Sequence, residues 1–155
     1  MQNIINAFID DKNIAIVGAS ENKKKFGNMM VRTFKKKGYN VFPVNPKSDT
    51  IEGEKCYSTI KELPSDVINV LFTVPPAVTE QVVKECPDAG VKRVWMHRGA
   101  GKGAVSETAK EFCKENNIDV VYGVCPMMFL NVPGPHKFHY WLLKLFGGLP
   151  KELKN

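Results

Sequence analysis

Asn13-Ile14-Ala15-Ile16-Val17-Gly18-Ala19-Ser20 decides the fold of this 155-residue chain. Five residues of strand character end in a turn of small residues, and a lysine-rich segment then leads into a helix over about Lys24 to Lys37. An apolar strand that stops at Gly-x-Ser and feeds a helix is how an open parallel sheet builds a phosphate cradle. Small residues let backbone N–H groups approach an anion, and the helix N-terminus adds its partial positive charge. The stretch therefore points to a phosphorylated, nucleotide-like ligand.

Outward from this stretch, strand and helix patterns alternate. Met1 to Asp11 carries Ile4, Ile5, Ala7, Phe8 and Ile9 at roughly helical spacing. The helix after the turn places Met29, Met30, Val31 and Phe34 inward and Lys35 to Lys37 toward solvent, and Gly38 stops it. A second strand, Tyr39 to Val44, runs into Asn45-Pro46-Lys47. Ser48 to Tyr57 reads as a loop, with a short helix near Thr59 to Leu63. Val67 to Val74 is almost wholly apolar, as a strand covered on both faces must be, and Pro75-Pro76 ends it. A helix from about Ala77 to Cys86, a strand Arg93 to Met96, a helix from about Val105 to Asn116 and a strand Ile118 to Tyr122 complete the rhythm. Five such alternations predict an α/β, Rossmann-like three-layer sandwich with a five-stranded parallel sheet of order 3-2-1-4-5. That domain is expected over residues 1–126. Residues 127–155 form a tail in which Pro126, Pro133 and Pro135 precede an aromatic helix from Phe138 to Phe146. This helix is expected to pack on the same domain or to join a second copy in a homo-oligomer.

Composition narrows the classes of function. The 43% hydrophobic and 25% charged residues are those of an ordinary globular chain, and no run of about 18 apolar residues is present to span a membrane. No secretory signal is legible in Met1 to Asp11, so the expected location is cytoplasmic. Cys56, Cys86, Cys113 and Cys125 show no Cys-x-x-Cys spacing and form no zinc pattern with the histidines, so neither a disulfide framework nor a metal site is expected. The net charge of +6 fits an anionic partner, but no basic stripe interleaved with aromatics favours nucleic acid.

Ligands of open parallel sheets bind beyond the carboxyl ends of the strands. Here those ends read Gly18-Ala19-Ser20, Asn45-Pro46-Lys47, Thr73-Val74-Pro75, His97-Arg98-Gly99 and Gly123-Val124-Cys125, all small, polar or basic. The dinucleotide fingerprint Gly-x-Gly-x-x-Gly is absent, and Lys47 stands beyond strand 2 where an NAD-binding chain would carry an acid. A basic residue there favours an extra ribose phosphate, as in NADP or coenzyme A. Lys23, Lys24 and Lys25 at a helix N-terminus oppose the helix dipole unless an anion sits between them, which makes Lys24 and Lys25 candidate phosphate ligands.

Four segments together, Ile14 to Ser20, Val41 to Lys47, Gly53 to Thr59 and Thr73 to Pro76, resemble the CoA-binding domain family. These are small single-domain proteins related to the N-terminal domain of the succinyl-CoA synthetase alpha subunit. The resemblance covers about residues 10–126 and implies coenzyme A as the ligand. It implies that Gly18, Ala19 and Ser20 hold the diphosphate, and that Asn45, Pro46 and Lys47 flank the phosphorylated adenosine. Thr73, Val74 and Pro75 would line the path of adenine and pantetheine. Arg98-Gly99 stands where the synthetase relatives have Glu-Gly, and Cys125-Pro126 matches the Cys-Pro that closes their domain. The synthetase's second domain, with its phosphorylated histidine, has no counterpart here, so the resemblance carries a ligand and no reaction. The expected function is non-catalytic binding or sensing of CoA or acyl-CoA. The rival is an NADP-dependent reductase or a CoA-linked transferase using Cys125, with His97 lowering the pKa of its thiol.

Overall fold

The computed structural model describes residues 1–99, 101–131, 134, 136–145 and 147–153. Its centre is a five-stranded parallel sheet of β1 (Asn13–Val17), β2 (Asn40–Val44), β5 (Asn69–Phe72), β6 (Arg93–Met96) and β7 (Asp119–Tyr122). Alternation along the strands sorts their side chains into two cores. Ile14, Ile16, Leu71, Trp95 and Val121 face one apolar cluster, while Ala15, Val17, Val70, Phe72, Val94 and Met96 face the other.

The first cluster is closed by α1 (Gln2–Asp10), through Ile5 and Phe8, and by α2 (Phe26–Lys36), through Met30, Val31 and Phe34. Met127, Met128, Leu130, Leu149 and Leu153, all beyond Pro126, join it. The second is closed by α3 (Pro76–Val82) with the following turn, through Val83 and Cys86, and by α4 (Glu107–Glu115), through Ala109 and Cys113. The three-layer α/β sandwich is therefore present. Each strand buried between helix layers reads as a continuous apolar run for that reason.

Three expectations are corrected. The strand order is β2-β1-β5-β6-β7, which counts as 2-1-3-4-5 among the five long strands and not 3-2-1-4-5. β5 pairs with β1 through Ala15–Val70, Ile16–Leu71 and Val17–Phe72. All four of its residues are buried, and it pairs with β6 on its other edge. β2 carries Pro43, which lacks an N–H and suits an edge. The outer side of β2 is capped by a single bridge to Tyr57, with Tyr57 N–H donating to Pro43 O at 2.9 Å.

The second correction concerns residues 48–57, which hold a small antiparallel hairpin, β3 (Thr50–Ile51) and β4 (Glu54–Lys55). Glu52 and Gly53 turn it with φ of 53° and 80°. Two positive φ values are what a tight hairpin turn needs, and Asn or Asp is the usual first residue, so Glu52 hides the signal.

Met29, expected inward, is exposed. The tail helix α5 spans His136–Leu145, and Phe146, where the sequence ends it, lies outside the described residues, as do Pro133 and Pro135. Tyr140 and Leu143 pack on the first core, whereas Phe138, Trp141 and Leu145 are exposed. No helix among the described residues is long and apolar enough to cross a membrane.

Candidate functional site

In this parallel sheet the order in which strands are added reverses between β1 and β5, and the reversal opens a crevice at their carboxyl ends. A cleft of about 880 Å³ lies there. Gly18 begins its floor at φ 118°, and a Cβ on it would overlap Thr73 Oγ1. Thr73 ties the two strand ends together, because its N–H and its hydroxyl each donate to Val17 O at 2.9 Å. Gly27, in the first turn of α2, comes so close that a Cβ would sit 2.5 Å from Ala19 N and from Gly18 C and O. Only glycine permits the helix N-terminus to rest directly on the turn.

That N-terminus is unsatisfied from within. Its N-cap, Lys25, makes no side-chain capping bond, and the first helical bond is Met29 N–H to Lys25 O at 3.2 Å. The N–H groups ahead of it, on Phe26, Gly27 and Asn28, are the donors an anion would use. Lys25 also lines the cleft, so an anion bound there would relieve its opposition to the helix dipole.

Buried Asn28 fixes the turn. Its Oδ1 accepts Ser20 N–H at 3.0 Å, and its Nδ2 donates to Ser20 O at 2.7 Å and to Glu52 Oε1 at 3.0 Å. Arg32 donates to the same Glu52 oxygen at 2.7 Å and to Lys23 O at 3.2 Å. The Asn28 hydrogen bond, with the Arg32 charge beside it, holds the Glu52 carboxyl below the usual carboxylate range. The hairpin thus reaches across to brace the Gly18-Ala19-Ser20 turn. Because Ser20 N–H is committed to Asn28, it is not one of the free donors of the turn. The Ser20 hydroxyl already accepts Asn22 N–H at 3.2 Å. On the opposite wall Asn45 Nδ2 donates to Ala19 O at 2.9 Å and its Oδ1 accepts Lys47 N–H at 2.9 Å, which sets the Asn45-Pro46-Lys47 corner against the turn.

Of the residues singled out in the sequence, the structure gathers Gly18, Ala19, Ser20, Lys25, Asn45, Pro46, Lys47, Thr73, Val74 and Pro75 around one cleft. Lys24, Arg98, Gly99 and Cys125 are not part of its lining. Lys24 is exposed, with its N–H bound to Asn22 Oδ1. Arg98 turns back on its own loop and donates to Gly101 O at 3.0 Å. Cys125 follows β7, two strands beyond the crevice, and burial pushes its thiol up. His97 stacks on Phe26, ring centroids 4.0 Å apart, and its Nδ1 is buried with no partner among the described residues. Burial pulls its imidazole down to about 4, so it is neutral at physiological pH.

Sequence reasoning missed the far wall, formed by Ser58, Thr59, Val78, Gln81, Val82 and Glu85. Ser58 and Thr59 close the Gly53 to Thr59 segment but carried no assigned role, and no motif marks Val78, Gln81, Val82 or Glu85. Gln81 and Glu85 are four apart after the Pro75-Pro76 stop, and that spacing on a helix leaving β5 was the available signal.

The comparisons agree with this geometry. A relative from Pyrococcus furiosus, acetate–CoA ligase (ADP-forming) II subunit alpha, is 34% identical over 113 residues, 72% of this chain and 24% of the relative. The chain thus spans about a quarter of that ligase's length. An uncharacterized protein of Bacillus subtilis, YneT, is 33% identical over 118 residues, covering 74% of this chain and 82% of its own. A solved structure of a conserved hypothetical protein from Pyrococcus furiosus superposes with a TM-score of 0.70 at 42% identity, over 76% of this chain and 98% of that one. Residues 12–131, which include every element of the cleft, match the family model described as a CoA binding domain, and the chain belongs to that family.

Proposed function

We propose that this chain binds coenzyme A or an acyl-CoA in the cleft between β1 and β5, and that it does so as a binding or sensing protein without a reaction of its own. The observation that carries the reading is the close approach of Gly27 to the Gly18-Ala19 backbone, which delivers an uncapped helix N-terminus into a cleft bordered by Lys25 and Lys47. In this arrangement the diphosphate would lie on the first turn of α2, and the ribose phosphate toward Lys47.

Non-catalytic binding is supported by the state of the groups that the rival needs. A neutral His97 supplies no positive charge to a neighbouring thiol, and burial keeps Cys125 protonated. The test is calorimetric titration with CoA, NADP and ADP side by side, with Ser20→Asp placing a negative charge on the turn. Saturable CoA binding that the variant loses is the expected result. A preference for NADP would replace this reading with the reductase, and absence of binding for all would remove it.

A further inference from the structure

The cleft is electrically lopsided. Three charged residues line it among those described: Lys25 at the start of α2, Lys47 beyond β2, and Glu85. The two lysines border the turn and the corner where phosphates are expected. Glu85 belongs to the opposite wall, at the end of the turn that follows α3. Its carboxylate is anchored there: Oε2 accepts the N–H of Ile60 at 3.0 Å, and Ile60 itself is fully buried. No described residue occupies Oε1. A carboxylate accepts hydrogen bonds and repels an anion, so a ligand group that carries N–H or O–H donors suits this wall. Val78 and Val82, with Pro75 at the strand end, give that part of the cleft an apolar surface suited to a flat ring.

We propose that Glu85 is a specificity-determining residue that selects an amino-bearing purine, accepting a hydrogen bond from the exocyclic amine of adenine. This rests on the reading that the cleft holds a phosphorylated adenosine. With phosphates on the helix N-terminus and the ribose phosphate at Lys47, the base is the uncharged, donor-bearing part of such a ligand left to meet the far wall. Hypoxanthine differs from adenine by a carbonyl oxygen where the amine stood, and that oxygen faces a carboxylate unfavourably. Glutamine in place of Glu85 keeps an oxygen for Ile60 N–H and offers an NH₂ that donates to the carbonyl.

The test measures affinities of adenosine 3′,5′-bisphosphate, inosine 3′,5′-bisphosphate and CoA for the full chain and for Glu85→Gln by calorimetry. The full chain should prefer the adenosine compound roughly ten- to hundredfold, the range for a hydrogen bond to a charged group. In Glu85→Gln the ratio should fall toward one or invert. A purely structural role for Glu85 would weaken both bisphosphates equally and leave the ratio intact, which overturns the proposal. Equal affinities in the unmodified chain overturn it without any variant. An effect on CoA alone, with both bisphosphates unmoved, overturns it by placing the pantetheine arm at Glu85. If CoA binds and the base ratio is flat, the ligand reading stands and the Glu85 inference falls; if none of the three binds, both fall.

Discussion

Lowering the pH should unfold this protein partly through His97. The imidazole titrates at about 4 in the fold, because its burial beside Phe26 disfavours the cation, against about 6.5 in an unfolded chain. Between those values the unfolded state binds the proton and the folded state does not, so stability is full above about pH 6.5 and declines as pH falls toward 4. A gap of about 2.5 between the two pKa values, at 1.36 kcal/mol each, sets a ceiling of about 3 kcal/mol, and at pH 5 about 2 kcal/mol of it is already lost. The assay is urea unfolding at pH 8 and pH 5 for the protein and for His97→Gln, which carries no titrating group at that position. Groups common to both cancel in the comparison, so the stability gap between the two should change by about 2 kcal/mol in favour of the variant at the lower pH. Parallel pH profiles would refute the reasoning. So would an NMR titration in which the His97 ring protons shift with a midpoint near 6.5.

Three further outcomes follow from the site. Gly27→Ala places a Cβ against the backbone of Gly18 and Ala19, so it should lower CoA affinity at least about tenfold and stability by about 1–3 kcal/mol, read by calorimetry and urea unfolding. Unchanged affinity would mean that the helix N-terminus is not where the phosphates lie. Lys47→Ala should weaken CoA about tenfold while leaving 3′-dephospho-CoA nearly unaffected, and an equal loss for both would move the ribose phosphate away from that corner. Glu52→Gln should cost about 1 kcal/mol at pH 7, because Asn28 and Arg32 lose a charged acceptor. The Glu52 carboxyl is depressed in the fold, so its contribution is present above the ordinary carboxylate pKa and disappears as pH falls through the folded value. The penalty of the variant should therefore vanish in acid, and a penalty independent of pH would contradict the assigned role.

The parts of this molecule that could be read from its sequence are those whose signals are local. β1 declares itself by an apolar run that stops at Gly18, and the helix after it by the spacing of Met30, Val31 and Phe34. Gly18 and Gly27 are recognisable as places where backbone must meet backbone only once a strand and a helix are known to touch there. The β3–β4 hairpin escaped because Glu52 adopts a conformation its side chain does not advertise. Its role in bracing the turn, through an acid 24 positions from Asn28, has no periodic trace.

Strand order is the instructive failure, because it also hid half of the site. An order of 3-2-1-4-5 would send the third strand to the outer side of β2 and carry α3 away from the Gly18 turn. Placed instead beside β1, the third strand delivers Pro75 and then α3 onto the rim of the crevice, and Val78, Gln81, Val82 and Glu85 become its far wall. The sequence held the means to choose. Val67 to Val74 is apolar along nearly its whole length, which fits a strand deep in a sheet covered on both faces, whereas β2 contains Pro43, which has no N–H to give a further strand and suits an edge. Those two facts favour the edge position of β2 and the interior one of β5 that the sheet has, and the lopsided charge of the cleft follows from the order. The residue proposed to read the base therefore became visible through topology before any motif named it.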